Sequence, residues 1–177
     1  MELATFIKTL AKHPALDRSA AALQTADARL HWKGMVGSAK SLLSLMVAQQ
    51  VPGTHLFILS DKEEAAYYLN DLEHMIGEQD VLFYPSSYRR PYQIEDTDNA
   101  NVLLRAEVLN RINSLKKPAI IVSYPEALFE KVITRKELDN NTLKVAVGDK
   151  ISIDFINEVL FEYEFKRVDF ITEPGEF

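Results

Sequence analysis

The 177-residue chain has no cysteine, which excludes disulfide frameworks, thiol nucleophiles and thiolate zinc sites such as ribbons and fingers. No stretch approaches the ~18–20 apolar residues of a membrane span. The opening residues Met1 to Lys8 include an acid and lack an apolar segment with a cleavage site, which argues against a secretory signal. Together these absences set the expectation of a cytoplasmic protein. Excess positive charge is lacking too: 20 Lys+Arg stand against 26 Asp+Glu, net −6, so the chain has no field for non-specific DNA binding, and any nucleic-acid contact must be local. The four histidines, His13, His31, His55 and His74, stand singly without metal-ligand spacing, and no nucleophile–base–acid order is visible. What is present is a hydrophobic fraction of 47%, enough to build a core, on a length that suits one full domain and part of another.

Leu3, Phe6, Ile7 and Leu10 recur at helical spacing, and Ala20 to Leu30 is a second helical candidate. Ser41 to Ala48 reads as a helix ended near Val51-Pro52-Gly53. His55 to Ser60 is then a continuous apolar run of the kind found in buried parallel strands. The unit repeats: Asp61 caps a helix to about Ile76, Gly77 stops it, and Asp80 to Tyr84 is a strand. After a polar, aromatic loop to Asn99, a helix from about Ala100 to Leu115 places Val102, Leu103, Ala106, Leu109 and Ile112 on one face. Pro118 to Ser123 is a third strand, and Pro125 to Phe129 begins a short helix. Alternating β and α predicts an α/β fold with a parallel sheet and flanking helices. Beyond Ile133 the pattern becomes α+β: an alternating strand from Thr142 to Val147, a Gly148-Asp149 turn, a helix capped by Ser152, and a strand from Lys166 to Thr172. Glu173 to Phe177 reads as a turn toward a further strand, so the chain is expected to be a piece of a larger protein.

Gly34-Met-Val-Gly37-Ser38-Ala39-Lys40-Ser41 is nearly G-x-x-x-x-G-K-[ST], in which backbone N–H groups cradle phosphates, lysine reaches the terminal phosphates and the hydroxyl holds Mg²⁺. Ala39 replaces the glycine before the lysine. In a left-handed conformation alanine would cost about 1–2 kcal/mol there. Two readings stand: a tolerant nucleotide site at Gly34, Gly37, Ser38, Lys40 and Ser41, or a relic that keeps the strand–turn–helix shape without the ligand. An Asp-Glu pair at a strand end, needed to hold Mg²⁺ and polarise water, is lacking; Asp61 follows a strand but is explained as an N-cap. Glu95, Asp96 and Asp98 form an acidic loop that offers a divalent ion oxygen ligands or is simply solvated. Tyr84, Tyr88, Arg89, Arg90 and Tyr92 offer either base stacking with phosphate pairing or tyrosines packed over a sheet edge.

The order of these segments, with Phe83 to Tyr92, Ile120 to Leu128, Val147 to Lys150 and Phe165 to Phe177, resembles the amino-terminal region of the bacterial transcription-repair coupling factor (Mfd) family, which is related to the excision-repair protein UvrB. The resemblance covers Leu30 to Phe177. It implies a degenerate P-loop-like α/β domain over residues 1–129, and over residues 130–177 the start of a smaller module like UvrB domain 2. Ala39 places the chain on the Mfd side, since UvrB keeps glycine before its lysine. The short span between Tyr92 and the next helix leaves no room for UvrB's DNA-inserting hairpin.

The resemblance further implies that the second module docks UvrA. The family patch maps onto Lys150, Lys166 and Phe170, with Arg167 able to take over part of a role that relatives give to arginine, because lysine loses bidentate geometry. In a strand Lys166 and Phe170 would share a face. The alternative is a core Phe170 beside a solvated Lys166. For the parent protein, RNA polymerase, double-stranded DNA and an ATP- and Mg²⁺-dependent translocase motor would be served by other domains, and another domain would mask the UvrA surface. No cofactor, catalytic residue or membrane contact is expected of this piece. A P-loop ATPase or helicase fragment that still binds ATP through Gly34 to Ser41 is the alternative function.

Overall fold

The computed structural model describes residues 3–88, 98–114, 118–140, 142–163, 165–172 and 175–177. Arg89, Arg90, Tyr92, Glu95 and Asp96 lie outside them. The elements in chain order are α1 (Leu3–Leu10), α2 (Pro14–Leu23), α3 (Ala39–Ala48), β1 (His55–Ile58), α4 (Lys62–Ile76), a 3₁₀ turn (Glu78–Asp80), β2 (Val81–Tyr84), α5 (Asn99–Ser114), β3 (Ile120–Ser123), α6 (Pro125–Phe129), α7 (Arg135–Asn140) and α8 (Ile153–Glu162). The chain divides into two compact units: Met1–Phe83 with Leu115–Pro125, and Tyr84–Ser114 with Glu126–Phe177. Among the described residues no helix is long and apolar enough to cross a membrane.

The first unit holds a small parallel sheet flanked by helices, in the order β1-β3-β2. β1 and β3 pair in register from His55 opposite Ile120 to Ile58 opposite Ser123. The central strand is therefore the last made, and its Val122 and Ser123 are fully buried. That burial explains why Pro118 to Ser123 reads as an unbroken apolar run. α4 is bounded by local chemistry. The Asp61 carboxylate accepts the Glu64 N–H at 2.8 Å, and Gly77 ends the helix at φ 95°, a conformation that a side chain disfavours. A cluster of Leu16, Ala20, Met46 and Val47 packs α2 on α3, with Leu10, Trp32 and Leu43 against it.

Two sequence expectations shift here. The second helix starts at Pro14 rather than near Ala20, because proline suits the first helical turn and His13 Nδ1 accepts the Ala15 N–H at 3.2 Å as the cap. It stops at Leu23, and the chain then turns through Asp27 at φ 60°. In addition, residues 28–33 form no strand, so α3 is entered from irregular chain and not from the strand that a strand–turn–helix loop requires.

In the second unit the described residues hold α5, α7 and α8 and most of α6. Ser152 caps α8 by accepting the Phe155 N–H at 3.1 Å, as its place in the sequence predicts. The two expected strands do not form. Residues 142–146 are irregular, and Lys166 to Thr172 contributes one parallel bridge, Lys166 with Glu176. Alternation produces a strand only where a neighbour completes the ladder, and among the described residues pairing here is limited to Lys166 and Val168 donating to Gly175 and Phe177 and Phe177 donating back.

Candidate functional site

Gly34 and Gly37 adopt φ of 79° and 57°, so both glycines of the loop do turn the chain through the left-handed region. Ala39 does not share that conformation; it is the first residue of α3, and its methyl group carries no backbone penalty. The 1–2 kcal/mol cost set against a left-handed alanine is not incurred. Two of the amides that would cradle a phosphate are engaged. Ala39 N–H donates to Val36 at 3.3 Å and Lys40 N–H to Gly37 at 3.4 Å, closing the loop on itself.

The two side chains that define the motif are also partnered from α4. Lys40 Nζ lies 3.0 Å from Glu64 Oε1, while Glu64 Oε2 accepts the Ser60 N–H at 3.2 Å. Hydrogen bonds from Ser60, and then from Lys40, hold the Glu64 carboxyl down at about 2. Ser41 is 1% exposed; its hydroxyl donates 2.5 Å to Asp71 Oδ2 and lies 3.0 Å from the Ser38 carbonyl. One turn on, the Ser44 hydroxyl meets Tyr68, whose phenol burial pushes up to about 12. The cavity over these residues is about 340 Å³ and is lined by Gly37, Ser38, Lys40, Tyr67, Glu64 and Asp71 among others. Its one lysine faces two carboxylates, a balance that disfavours a triphosphate.

The remaining candidates separate. Lys150 sits beyond the turn at Val147-Gly148, where the Asp149 carboxylate accepts the Ala146 N–H at 2.8 Å. Lys166 and Arg167 are exposed, and Phe170 is 86% exposed. Since Lys166 to Thr172 is not a continuous strand, strand alternation does not set the faces of Lys166 and Phe170. Of the acidic loop, Asp98 caps α5 through the Ala100 N–H at 3.0 Å. Among the described residues no three His, Asp or Glu side chains are grouped to hold a metal.

Sequence patterning missed a buried charged cluster in the second unit. α5 buries Arg105 and Val108, whereas Val102, Leu103 and Ile112 of the expected apolar face are exposed by more than two-fifths. Arg105 Nη1 donates to the carbonyls of Pro85 at 2.7 Å and Ala127 at 3.0 Å and stands 3.3 Å from Glu130 Oε2. Its guanidinium lies 4.2 Å from the Tyr84 ring centroid, so Tyr84 serves packing there. Glu130 also accepts from the Ser86 hydroxyl, from the Ser87 N–H at 2.9 Å and from the Ser87 hydroxyl at 2.8 Å. Burial opposes its charge, but these bonds and Arg105 outweigh burial and keep its carboxyl below the usual range. No local pattern signals a pair so far apart in sequence; a serine pair after a strand is its one trace.

Fold and site together define a small mixed α/β protein whose loop residues are satisfied internally and whose described residues present no catalytic constellation. No family model matches the chain. It is similar to the transcription-repair-coupling factor of Bacillus subtilis (strain 168), 24% identical over 145 residues, 81% of this chain and 12% of that protein. It is also similar to the transcription-repair-coupling factor of Rickettsia bellii (strain RML369-C), 24% identical over 123 residues, 69% of this chain and 11% of that protein. The chain is a distant, partial homologue of the transcription-repair-coupling factor family, and it spans about one-eighth or less of these relatives' length.

Proposed function

We propose that this chain is the UvrB-like amino-terminal region of a transcription-repair coupling factor, with residues 1–129 a P-loop-derived domain that has lost its ligand and residues 130–177 the start of a UvrA-docking module. It recruits UvrA, and through it nucleotide excision repair, to stalled RNA polymerase. The ATP-driven translocase that acts on double-stranded DNA belongs to other domains of the parent, one of which masks the docking surface. The observation that carries the docking reading is Phe170, an aromatic side chain left 86% exposed three residues after the exposed pair Lys166 and Arg167. Aromatic anchors with cationic neighbours are what protein interfaces use, with Lys150 as a further cation on the same unit. Internal pairing of Lys40 and Ser41 supports the relic reading of the loop over the ATPase reading.

The test is a pull-down with purified UvrA. Lys166→Glu combined with Phe170→Ala abolishes capture while the circular dichroism spectrum stays unchanged, because both side chains are exposed. Undiminished capture by the double variant refutes the assignment. Rising salt weakens capture by the unaltered chain, since its cations contribute to association.

A further inference from the structure

A second cavity in the first unit, about 400 Å³, lies beside the cluster that packs α2 on α3. Its floor is apolar: Leu10, Leu16, Met35 and Leu43, with the chain's single tryptophan, Trp32. The Trp32 indole N–H donates to Ser19 Oγ at 3.2 Å, so its polar atom is satisfied and its ring is available as an apolar wall. The volume falls in the range of small-ligand sites, which are mostly apolar with a few convergent polar groups.

The ionisable groups that line this cavity are all basic. His13, His31 and Lys33, all exposed, line it, and among the described residues no carboxylate does. That is notable in a chain of net −6. Three other cavities of the same unit each carry acid: Asp80 in one, Asp71 in the next, and Glu64 with Asp71 over the glycine loop. Capping fixes the His13 tautomer: its Nδ1 accepts the Ala15 N–H, so the ring proton is on Nε2, which is a donor. Lys33 supplies a full charge. The cavity thus presents donors and a cation above an apolar, aromatic floor, and this combination selects an anion with an apolar body and rejects a neutral molecule of equal size.

We propose that the Trp32 cavity binds a small aryl or acyl carboxylate, its hydrocarbon part against Trp32, Leu16 and Leu43 and its carboxylate held by Lys33 with the histidine N–H groups. This site is independent of UvrA docking, and its failure leaves that reading untouched. The probe is 4-phenylbutyrate, with its neutral amide as the size-matched control. Titrated into the full chain, the acid produces a saturable change in Trp32 emission. The amide binds at least ten-fold more weakly, and so does the acid to Lys33→Glu, a surface change that leaves the fold intact. His31→Ala weakens the acid by a smaller factor. A non-saturating response, equal binding of acid and amide, or Lys33→Glu binding as well as the unaltered chain overturns the proposal. The same holds if an acetylated Phe-Asp peptide saturates the Trp32 signal while 4-phenylbutyrate does not, which would make the cavity a peptide site.

Discussion

Arg105 and Glu130 are the pair on which single-residue energetics of the second unit turn. Arg105 is 6% exposed, and its Nη2 has no hydrogen-bond partner among the described residues, where its charge is met by Glu130, two carbonyls and the Tyr84 face. Removing one member of a buried ion pair strands the other. Glu130→Ala is therefore expected to cost about 3–5 kcal/mol, read as a fall in urea midpoint, and replacing both residues by apolar side chains of similar volume should cost much less. Glu64 gives a pH signature. Its carboxyl titrates near 4.5 when free and near 2 in the fold, so the unfolded chain binds more protons between those values. The stabilisation is complete above about pH 4.5 and is lost as pH falls toward 2. Glu64→Gln should flatten the dependence of urea midpoint on pH across that window; an unchanged slope would mean that the Lys40 and Ser60 contacts do not persist in solution.

Among the elements, those fixed by local chemistry were readable in advance, and those that depend on distant partners were not. β1, β2 and β3 fall inside the predicted runs, each a short apolar segment between turn residues, but β1 is not buried on both faces as such a run predicts, since Leu56 and Ile58 are 48% and 55% exposed. α4 and α8 were legible from Asp61 and Ser152, whose oxygens make the expected cap bonds. Asp61→Ala should cost about 1 kcal/mol of stability, and Gly77→Ala about 1–3 kcal/mol through its φ of 95°, since a Cβ there meets no atom within 4 Å and the loss is conformational. Thermal melts of the two variants check both values. The strand expected over Thr142 to Val147 alternates in sequence, and Lys166 to Thr172 is rich in β-formers, but neither pattern specifies a hydrogen-bonding neighbour. The face of α5 was misjudged for a related reason. A buried arginine counts as polar in any periodicity, although Glu130 makes that position interior.

For the molecule as a whole, the glycine loop was legible as a motif, and the pairing that closes on it was not. Gly34, Lys40 and Ser41 stand where the pattern wants them, but the carboxylates that engage Lys40 and Ser41 are Glu64 and Asp71 of α4, far along the chain, and no motif records that. Titration with a fluorescent ATP analogue is expected to show no micromolar, Mg²⁺-dependent binding, with Lys40→Ala indistinguishable from the unaltered chain. Saturable binding lost on Lys40→Ala would reinstate the ATPase alternative. Ala39→Gly alone should restore nothing, since Ala39 is already helical and the obstacle is the pairing around it.

The sheet order β1-β3-β2 carries a consequence for how the chain is made. The strand that joins the two edges is synthesised last, so while β1 and β2 are already outside the ribosome they have no shared neighbour and their amides remain with water. The first unit acquires its sheet only when Ser123 has emerged, after the chain has passed through Tyr84–Ser114 of the other unit. Closure is then a long-range event, slow relative to helix formation. A nascent chain arrested at Ser114 should be cleaved readily by protease within His55 to Tyr84, and one extended far enough to release Ser123 should resist.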